Sequence, residues 1–415
     1  MVKRSKWSKW AAALLAVSLV AMLGACSSGD EAGGDGKGSD KTLEVWTMSG
    51  ALDDFVTEFE NEEGVTVKVQ TIPWANAHDK LLTAVASGKG PDVLQIGTTW
   101  VAEFAEAGTF LDLTEYLDDY ENLGSDNFYE GAIGTTTFED KTIAIPWYVD
   151  TRLVFYRTDI LGEVGYPEGP ETWDDMIDAS RKLAARGDGQ YAIDMPKSDP
   201  QFPFMLAWQQ GWDYEVGEGS ANFDSPAFKE AVELHHLFYD EKLSQMEKGK
   251  EFFQSFADGS KPMFFSGPWD IGTIKDRAPE IEGKWDVHEM PKAENNKSMM
   301  GGAHFSVFHN SDKKDLALDF INWMADPETQ VKWYETNSEL PANMAAWENP
   351  ALSDDPMVST FGEQLESTQP LPLIPEFERL GQEMITQLEE INRGGKDIDK
   401  AIADYKKEAA KVLSE

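Results

Sequence analysis

Residues 41–96 read KTLEVWTMSGALDDFVTEFENEEGVTVKVQTIPWANAHDKLLTAVASGKGPDVLQI, and the spacing of their apolar residues switches period four times. Lys41 to Thr47 is a short β-prone run. Leu52, Phe55, Val56 and Phe59 then recur at helical spacing. Val65, Val67 and Val69 alternate with polar residues, which is the period of a strand. Leu81, Leu82, Val85 and Ala86 return to a helical face. Gly88-Lys89-Gly90-Pro91 stops it, and Val93 to Ile96 reads as a buried strand. Strand–helix–strand–helix–strand predicts an α/β fold with a parallel sheet and right-handed crossovers. Solutes on such sheets sit beyond the carboxyl ends of the strands. That rule nominates Met48-Ser49-Gly50, Trp74-Ala75-Asn76 and Thr98-Thr99-Trp100 as mouth loops.

Outward from this core the chain keeps mixing the two periods. Thr172-Trp173-Asp174-Asp175 has capping-box spacing and opens a helix. Phe228, Val232, His235 and Phe238 mark another, and Pro262 to Ser266 reads as a strand. Asp326-Pro327-Glu328 supplies an N-cap, an N1 proline and an acidic first turn. Pro375 to Leu413 predicts two amphipathic helices broken at Gly394-Gly395.

The N-terminal segment is of a different kind. Lys3, Arg4, Lys6 and Lys9 precede an apolar run from Ala11 to Leu23, the pattern of a secretory signal. The run is shorter than the roughly 20 apolar residues of a membrane span. Leu23-Gly24-Ala25-Cys26 resembles the lipobox of bacterial lipoproteins, which implies a signal peptide over 1–25 and lipid (palmitate) on Cys26, the single cysteine. Residues 26–40 are Gly, Ser, Asp and Glu with almost nothing apolar, so they predict a disordered tether. As a Gly-rich coil it would span roughly 20 Å.

From Cys26 onward roughly 390 residues remain, enough for two sizeable cores. Of 36 bases, the four in the signal leave 32 against 75 acids, a net charge of −43. Such a surface argues against nucleic acid, whose binding needs Lys/Arg patches that release counterions. No block of acids has calcium-loop spacing, so neither metal nor cofactor is expected. A single cysteine permits no internal disulfide.

The search for catalytic motifs returns no Gly-x-Ser-x-Gly elbow and no His-Glu-x-x-His. His235-His236 falls in a helix, with one ring expected to pack and the other to face water. Aromatic residues are the positive signal. Of fourteen tryptophans, Trp74, Trp100, Trp147, Trp208, Trp212, Trp269 and Trp347 stand near Gly, Pro, Asn or Gln. An indole face stacks on the C–H face of a sugar ring, and neighbouring amides and carboxylates take the hydroxyls. Each ring alone could equally fill core volume; seven together favour a sugar cleft.

Five stretches carry a resemblance. They are GPDVLQIGTTWVAEFAEAG (90–108), IPWYVDTRLVFYR (145–157), ETWDDM (171–176), PMFFSGPW (262–269) and DPETQVKW (326–333). In order and spacing the chain from Lys41 resembles the extracellular oligosaccharide-binding proteins of ABC importers, the group that includes maltodextrin-binding proteins. The resemblance implies a two-lobed periplasmic-binding-protein-like fold with a hinge of crossing strands and a ligand cleft between the lobes. It places one lobe at 41–148 plus 303–339 and the other at 149–302 plus 340–415. Crossings are expected at Pro146–Asp150, Met300–Ala303 and Asn337–Pro341. The implied contacts are Met48, Ser49, Gly50, Thr98, Thr99, Trp100 and Asp150, with Trp269 as stacking platform. Gly301 and Gly302 would let the chain pass close to the ligand. Where maltodextrin binders carry a charged pair after the Pro-Asp strand, this chain has Thr99-Trp100, which implies a more aromatic subsite.

The expectation is therefore a non-enzymatic, monomeric, lipid-anchored binding protein on the extracellular face of the cell membrane. It would hand an oligosaccharide to an ABC permease. A cell-surface glycoside hydrolase with an aromatic cleft is the alternative, and a binder of a polyol or glycosylated osmolyte a third reading.

Overall fold

A computed structural model describes residues 41–217, 220–247 and 249–414. The signal, Cys26 and tether expectations lie outside the described residues. The principal strands are β1 (Thr42–Thr47), β2 (Thr66–Thr71), β3 (Val93–Gly97), β4 (Ile145–Asp150), β5 (Leu153–Tyr156), β6 (Ile193–Asp194), β7 (Met263–Ser266), β8 (Asp286–His288), β9 (Ser298–Val307), β10 (Leu340–Pro341) and β11 (Thr368–Pro370). The helices that matter here are α1 (Thr57–Glu63), α2 (Trp74–Ser87), α3 (Trp173–Ala184), α4 (Phe202–Gln209), α5 (Pro226–Asp240), α6 (Trp269–Arg277), α7 (Lys314–Ala325), α8 (Pro327–Asn337), α9 (Phe377–Gly394) and α10 (Ile398–Val412).

The first sheet has seven strands in the order β10-β4-β9-β3-β1-β2, with β11 pairing β9 off that path. β1 runs parallel to β2 and β3, as the period switches predict. The sheet as a whole is mixed, because β9 returns antiparallel to both β3 and β4. All five residues of β3 are buried, so both of its faces are covered. The second sheet has four strands in the order β8-β5-β7-β6. Strand β4 belongs to the first sheet and β5, two residues later, to the second, so the chain crosses between the sheets at Thr151-Arg152.

Local chemistry sets the helix starts. Thr172 and Asp175 form the expected capping box at α3, and Asp326 accepts from the amides of Glu328 and Thr329 at α8. The tail forms α9 and α10, with Gly395 left-handed at φ 65° closing α9. Both helices pack with α4 and α5 around Trp208, Phe204, Phe228 and Tyr405 in the second lobe's core. The other large core joins Leu43, Val45, Phe59, Trp147 and Trp333 to Phe155, Phe264 and Trp285, so apolar packing runs on through the strands between the sheets.

His235 and His236 divide as expected of core and rim. His235 is buried with Nε2 3.1 Å from the Pro196 carbonyl, and burial pushes its pKa down to about 4. His236 is half-buried against Asn392.

Candidate functional site

Gln95 is the one polar side chain in the VLQIG run of β3, and it organises the mouth of the first lobe. Its Oε1 accepts from Thr47 Oγ1 (2.7 Å) and from the amides of Met48 (2.6 Å) and Ser49 (3.2 Å). Its Nε2 donates to Tyr148 Oη at 3.1 Å. A buried amide satisfied on both ends fixes what it touches. Met48 and Ser49 are thereby buried and held, and Gly50 is exposed at the tip.

From this loop the polar network runs into the crossing strands. Ser49 Oγ donates to Glu339 Oε1 at 2.8 Å, and Trp333 Nε1 donates to Glu339 Oε2 at 2.7 Å. Burial nevertheless pushes the Glu339 carboxyl up to about 7, with Asp150 adding to the rise. Leu340 pairs with Val149 and Pro341 with Tyr148. Glu339, the residue before that pair, therefore continues the register opposite Asp150. On the other edge of β4, Gly301 pairs with Asp150 and Gly302 with Val149. A Cβ on Gly301 would strike the Asp150 carboxylate, and one on Gly302 the Tyr148 carbonyl. Gly302 also has φ 126°, a conformation that side chains avoid. Both glycines thus serve close approach of strand to strand.

Asp150 accepts from Arg152 Nη1 at 3.0 Å. Burial still raises its pKa, with Arg152 opposing that shift. The Arg152 guanidinium centre also lies 4.9 Å from the centroid of the Trp269 ring, within cation–π range. Trp269 opens α6 and is 41% exposed. Ser266 Oγ donates to Asp270 at 2.6 Å, tying the first turn of α6 to the end of β7. Gly267 has room for no Cβ because the Trp269 ring folds over it. Gly272 of the same helix comes near Ser338, beside Glu339. One connected set of groups therefore links Gln95 and Ser49 of the first lobe, the crossing strands and Trp269 of the second.

A second aromatic group lies on the first lobe. Trp74 is 42% exposed and stands edge-on to Trp100, with ring centroids 5.3 Å apart. His78 is edge-on to Trp100 at 5.2 Å and holds Glu103 at 2.8 Å. Trp74 is not in a loop, as expected, but is the first residue of α2, behind Pro73 at the cap. Thr98, Thr99 and Trp100 form a single 3-10 turn at the end of β3, with Thr98 buried and Trp100 half-buried.

Three tryptophans depart from the expected cleft. Trp147 is 1% exposed, stacked on Phe305 at 4.2 Å and packed by Trp333 at 4.9 Å. The register explains it: Ala303 pairs with Tyr148 and His304 with Pro146, so Trp147 is the extra residue of a bulge and turns into the core. Trp208 is likewise 1% exposed, in helix α4, all eight of whose residues are buried. A ring enclosed on all sides offers no face to a solute. Trp212 is also core, and its indole N–H goes to Asn222. Trp347 is half-buried, donating to the Pro341 carbonyl at 3.0 Å and covering Gly362. Sequence reasoning missed Gln95, Tyr148, Arg152 and Glu339. Gln95 alone had a signal, as an amide inside an apolar strand.

Among the described residues no group of three or more His, Cys, Asp or Glu is placed to hold a metal ion, and no helix is long and apolar enough to cross a membrane. The arrangement is chemically a hydrogen-bonded polar network that reaches from Gln95 to the crossing strands beside Trp269, with a second exposed indole, Trp74, on the first lobe.

Comparison with known proteins agrees with this geometry. The chain is similar to an arabinooligosaccharide-binding protein of Halalkalibacterium halodurans, at 24% identity over 78% of this chain and 76% of that one. It is similar to the diacetylchitobiose binding protein DasA of Streptomyces coelicolor, at 25% identity over 89% of each. Among solved structures, the sugar-binding protein MalE from the phytopathogen Xanthomonas citri superposes with a TM-score of 0.84 and 30% identity, over 90% of this chain and 97% of that one. These relatives are binding proteins. The family described as bacterial extracellular solute-binding protein matches residues 46–331, and with a two-lobed fold and a polar network at the crossing strands the chain belongs to that family.

Proposed function

We propose that this protein is the substrate-binding component of an ABC sugar importer, taking an oligosaccharide between its lobes and delivering it to the permease. The observation that carries this reading is the pair of exposed indole surfaces, Trp74 with Trp100 and Trp269, together with the hydrogen-bonded network that runs from Gln95 and Ser49 to the crossing strands beside Trp269. Indoles supply stacking area, and the Met48–Gly50 and Thr98–Trp100 turns supply hydroxyls and amides for sugar hydroxyls. In this reading the lobes are 41–148 with 303–339 and 149–302 with 340–415. A solute touching both favours the closed form by its differential contacts. The protein acts as a monomer, tethered through lipid on Cys26 at the extracellular face of the membrane.

Binding fits the carboxylates better than hydrolysis does. Asp150 is engaged by Arg152, and Glu339 by Ser49 and Trp333, so neither faces a cleft as a free acid–base pair. The experiment is a glycan array with purified residues 41–415, followed by calorimetry on the hits. Binding of an oligosaccharide that is recovered intact is the expected result. Cleaved sugar would move the reading to a hydrolase, and an empty array to a different solute. Cys26→Ala should release the full-length protein from membranes or leave its precursor uncut; unchanged retention would defeat the anchor.

A further inference from the structure

Glu339 is a half-buried acid that is bonded into the mouth loop. The groups that face it come from every neighbouring element. Ser49, from the loop after β1, donates its hydroxyl, and Trp333 of α8 its indole N–H. Asn337 at the end of α8 adds a side-chain hydrogen bond. From β4 come Tyr148 and Asp150, the latter paired with Arg152. The register sets Asp150 opposite Glu339, and like charges directly opposed across a strand pair repel. Two influences therefore compete at one carboxyl. The donors favour the charged form, because hydrogen bonds to an ion are about twice as strong as neutral ones. Burial and Asp150 favour the neutral form.

We propose that Glu339 is a positioning residue that clamps the Met48-Ser49-Gly50 loop through the Ser49 hydroxyl, tightly when ionised and loosely when protonated. Burial brings that change near neutrality, pushing the carboxyl up to about 7. The solute contact of this loop rests on the function proposed above, but the clamp itself exists without solute. Its consequence is that the mouth of the first lobe is better ordered in mildly alkaline than in mildly acidic medium.

Amide exchange reads this directly in solute-free protein. The Met48 and Ser49 amides both donate to Gln95 Oε1, so their protection reports whether the loop is held. Hydrogen–deuterium exchange of the peptide covering 47–50 would be followed at pH 6 and pH 8, corrected for intrinsic rates. Wild type should show roughly fivefold greater protection at pH 8, from the stronger charge-assisted bond. Glu339→Gln and Ser49→Ala should each show lower protection that no longer changes with pH. A merely structural role would lower protection by the same factor at both pH values. Wild type without pH dependence, or variants that retain it, would overturn the proposal. Should Glu339→Gln fail to fold, Ser49→Ala decides alone by the same criterion. Because no sugar is present, failure here is distinct from failure to find an oligosaccharide.

Discussion

Trp147 and Trp269 each follow a proline, yet one is sealed in the core and the other faces solvent. Trp147 sits at the bulge of β4, where the extra residue turns inward between Phe305 and Trp333. Trp269 starts α6 beyond the end of β7, and Gly267 lets its ring lie flat against the turn. The neighbouring proline is the same; the position along the element differs. A tryptophan inside a strand that is buried on both faces has only the core to enter. One at the first turn of a helix beyond the strand ends stands where solutes bind on such sheets. The contrast predicts that mutations at the two sites will divide between stability and affinity.

The largest effect should come from Trp147→Ala. Emptying a fully packed aromatic site costs about 3–5 kcal/mol of folding stability, since neighbours close the cavity only partly. Urea unfolding of wild type and variant would measure it. A loss below about 1 kcal/mol would mean that the core does not rest on this ring.

Glu339 marks the boundary between the two kinds of tryptophan, because Trp333 packs on Trp147 and donates to Glu339. Burial raises its carboxyl from the ordinary 4.5 to about 7. An acid whose folded value lies above its unfolded one binds the proton more tightly when folded. The stability it contributes is fully present below about pH 4.5 and is lost as pH rises through about 7, on the order of 3 kcal/mol in all. Wild type should therefore lose stability relative to Glu339→Gln between pH 5 and pH 8. A difference between the two proteins that stays constant across that window would place the carboxyl in water. The sign is opposite to the loop order proposed above. Ionisation would tighten Ser49 while it costs folding free energy, a trade common at functional sites.

The same contrast shows how far the sequence could be read. Changes of apolar period located β1, β2 and β3 and their parallel order, because each strand's pattern is local. Capping chemistry located α3 and α8 for the same reason. The antiparallel return of β9 between β3 and β4 was not legible from periodicity, since Ala303 pairs with Gly97 and Gly301 with Asp150 across long stretches of chain. Glu339 escaped notice because its meaning lies in Ser49, 290 residues away along the chain, and in Asp150 across a two-strand register. Composition around a ring does not reveal a bulge or a helix that is buried all round, which is why the sequence alone points Trp147 and Trp208 to a cleft. Trp74 and Trp269 are the two large exposed indoles among the sequence candidates, and both begin helices.

Trp269→Ala should then behave as the inverse of Trp147→Ala. Loss of a central aromatic contact costs on the order of 2–4 kcal/mol of binding, roughly 30- to 1,000-fold in affinity. Folding stability should change by less than about 1 kcal/mol, as for other exposed positions. Calorimetry with a sugar from the array, beside urea unfolding, gives both numbers. Wild-type affinity with reduced stability would return Trp269 to the structural class and erase the contrast.

The smallest effect concerns Arg152, which touches both sides of the comparison through Asp150 and the Trp269 ring. Arg152→Ala would strand a half-buried carboxylate, so it mixes two losses. Arg152→Lys keeps the charge near Asp150 and removes the planar guanidinium from the indole. If the guanidinium steadies the platform, affinity should fall about two- to fivefold, in line with the roughly 0.5–1 kcal/mol of an exposed cation–π contact. The decisive measurement repeats the substitution in a Trp269→Ala background. Two residues that act through one contact are not additive, so the lysine effect should vanish there. An undiminished effect in the double variant would mean that Arg152 serves the crossing strands through Asp150, and that Trp269 holds its place without it.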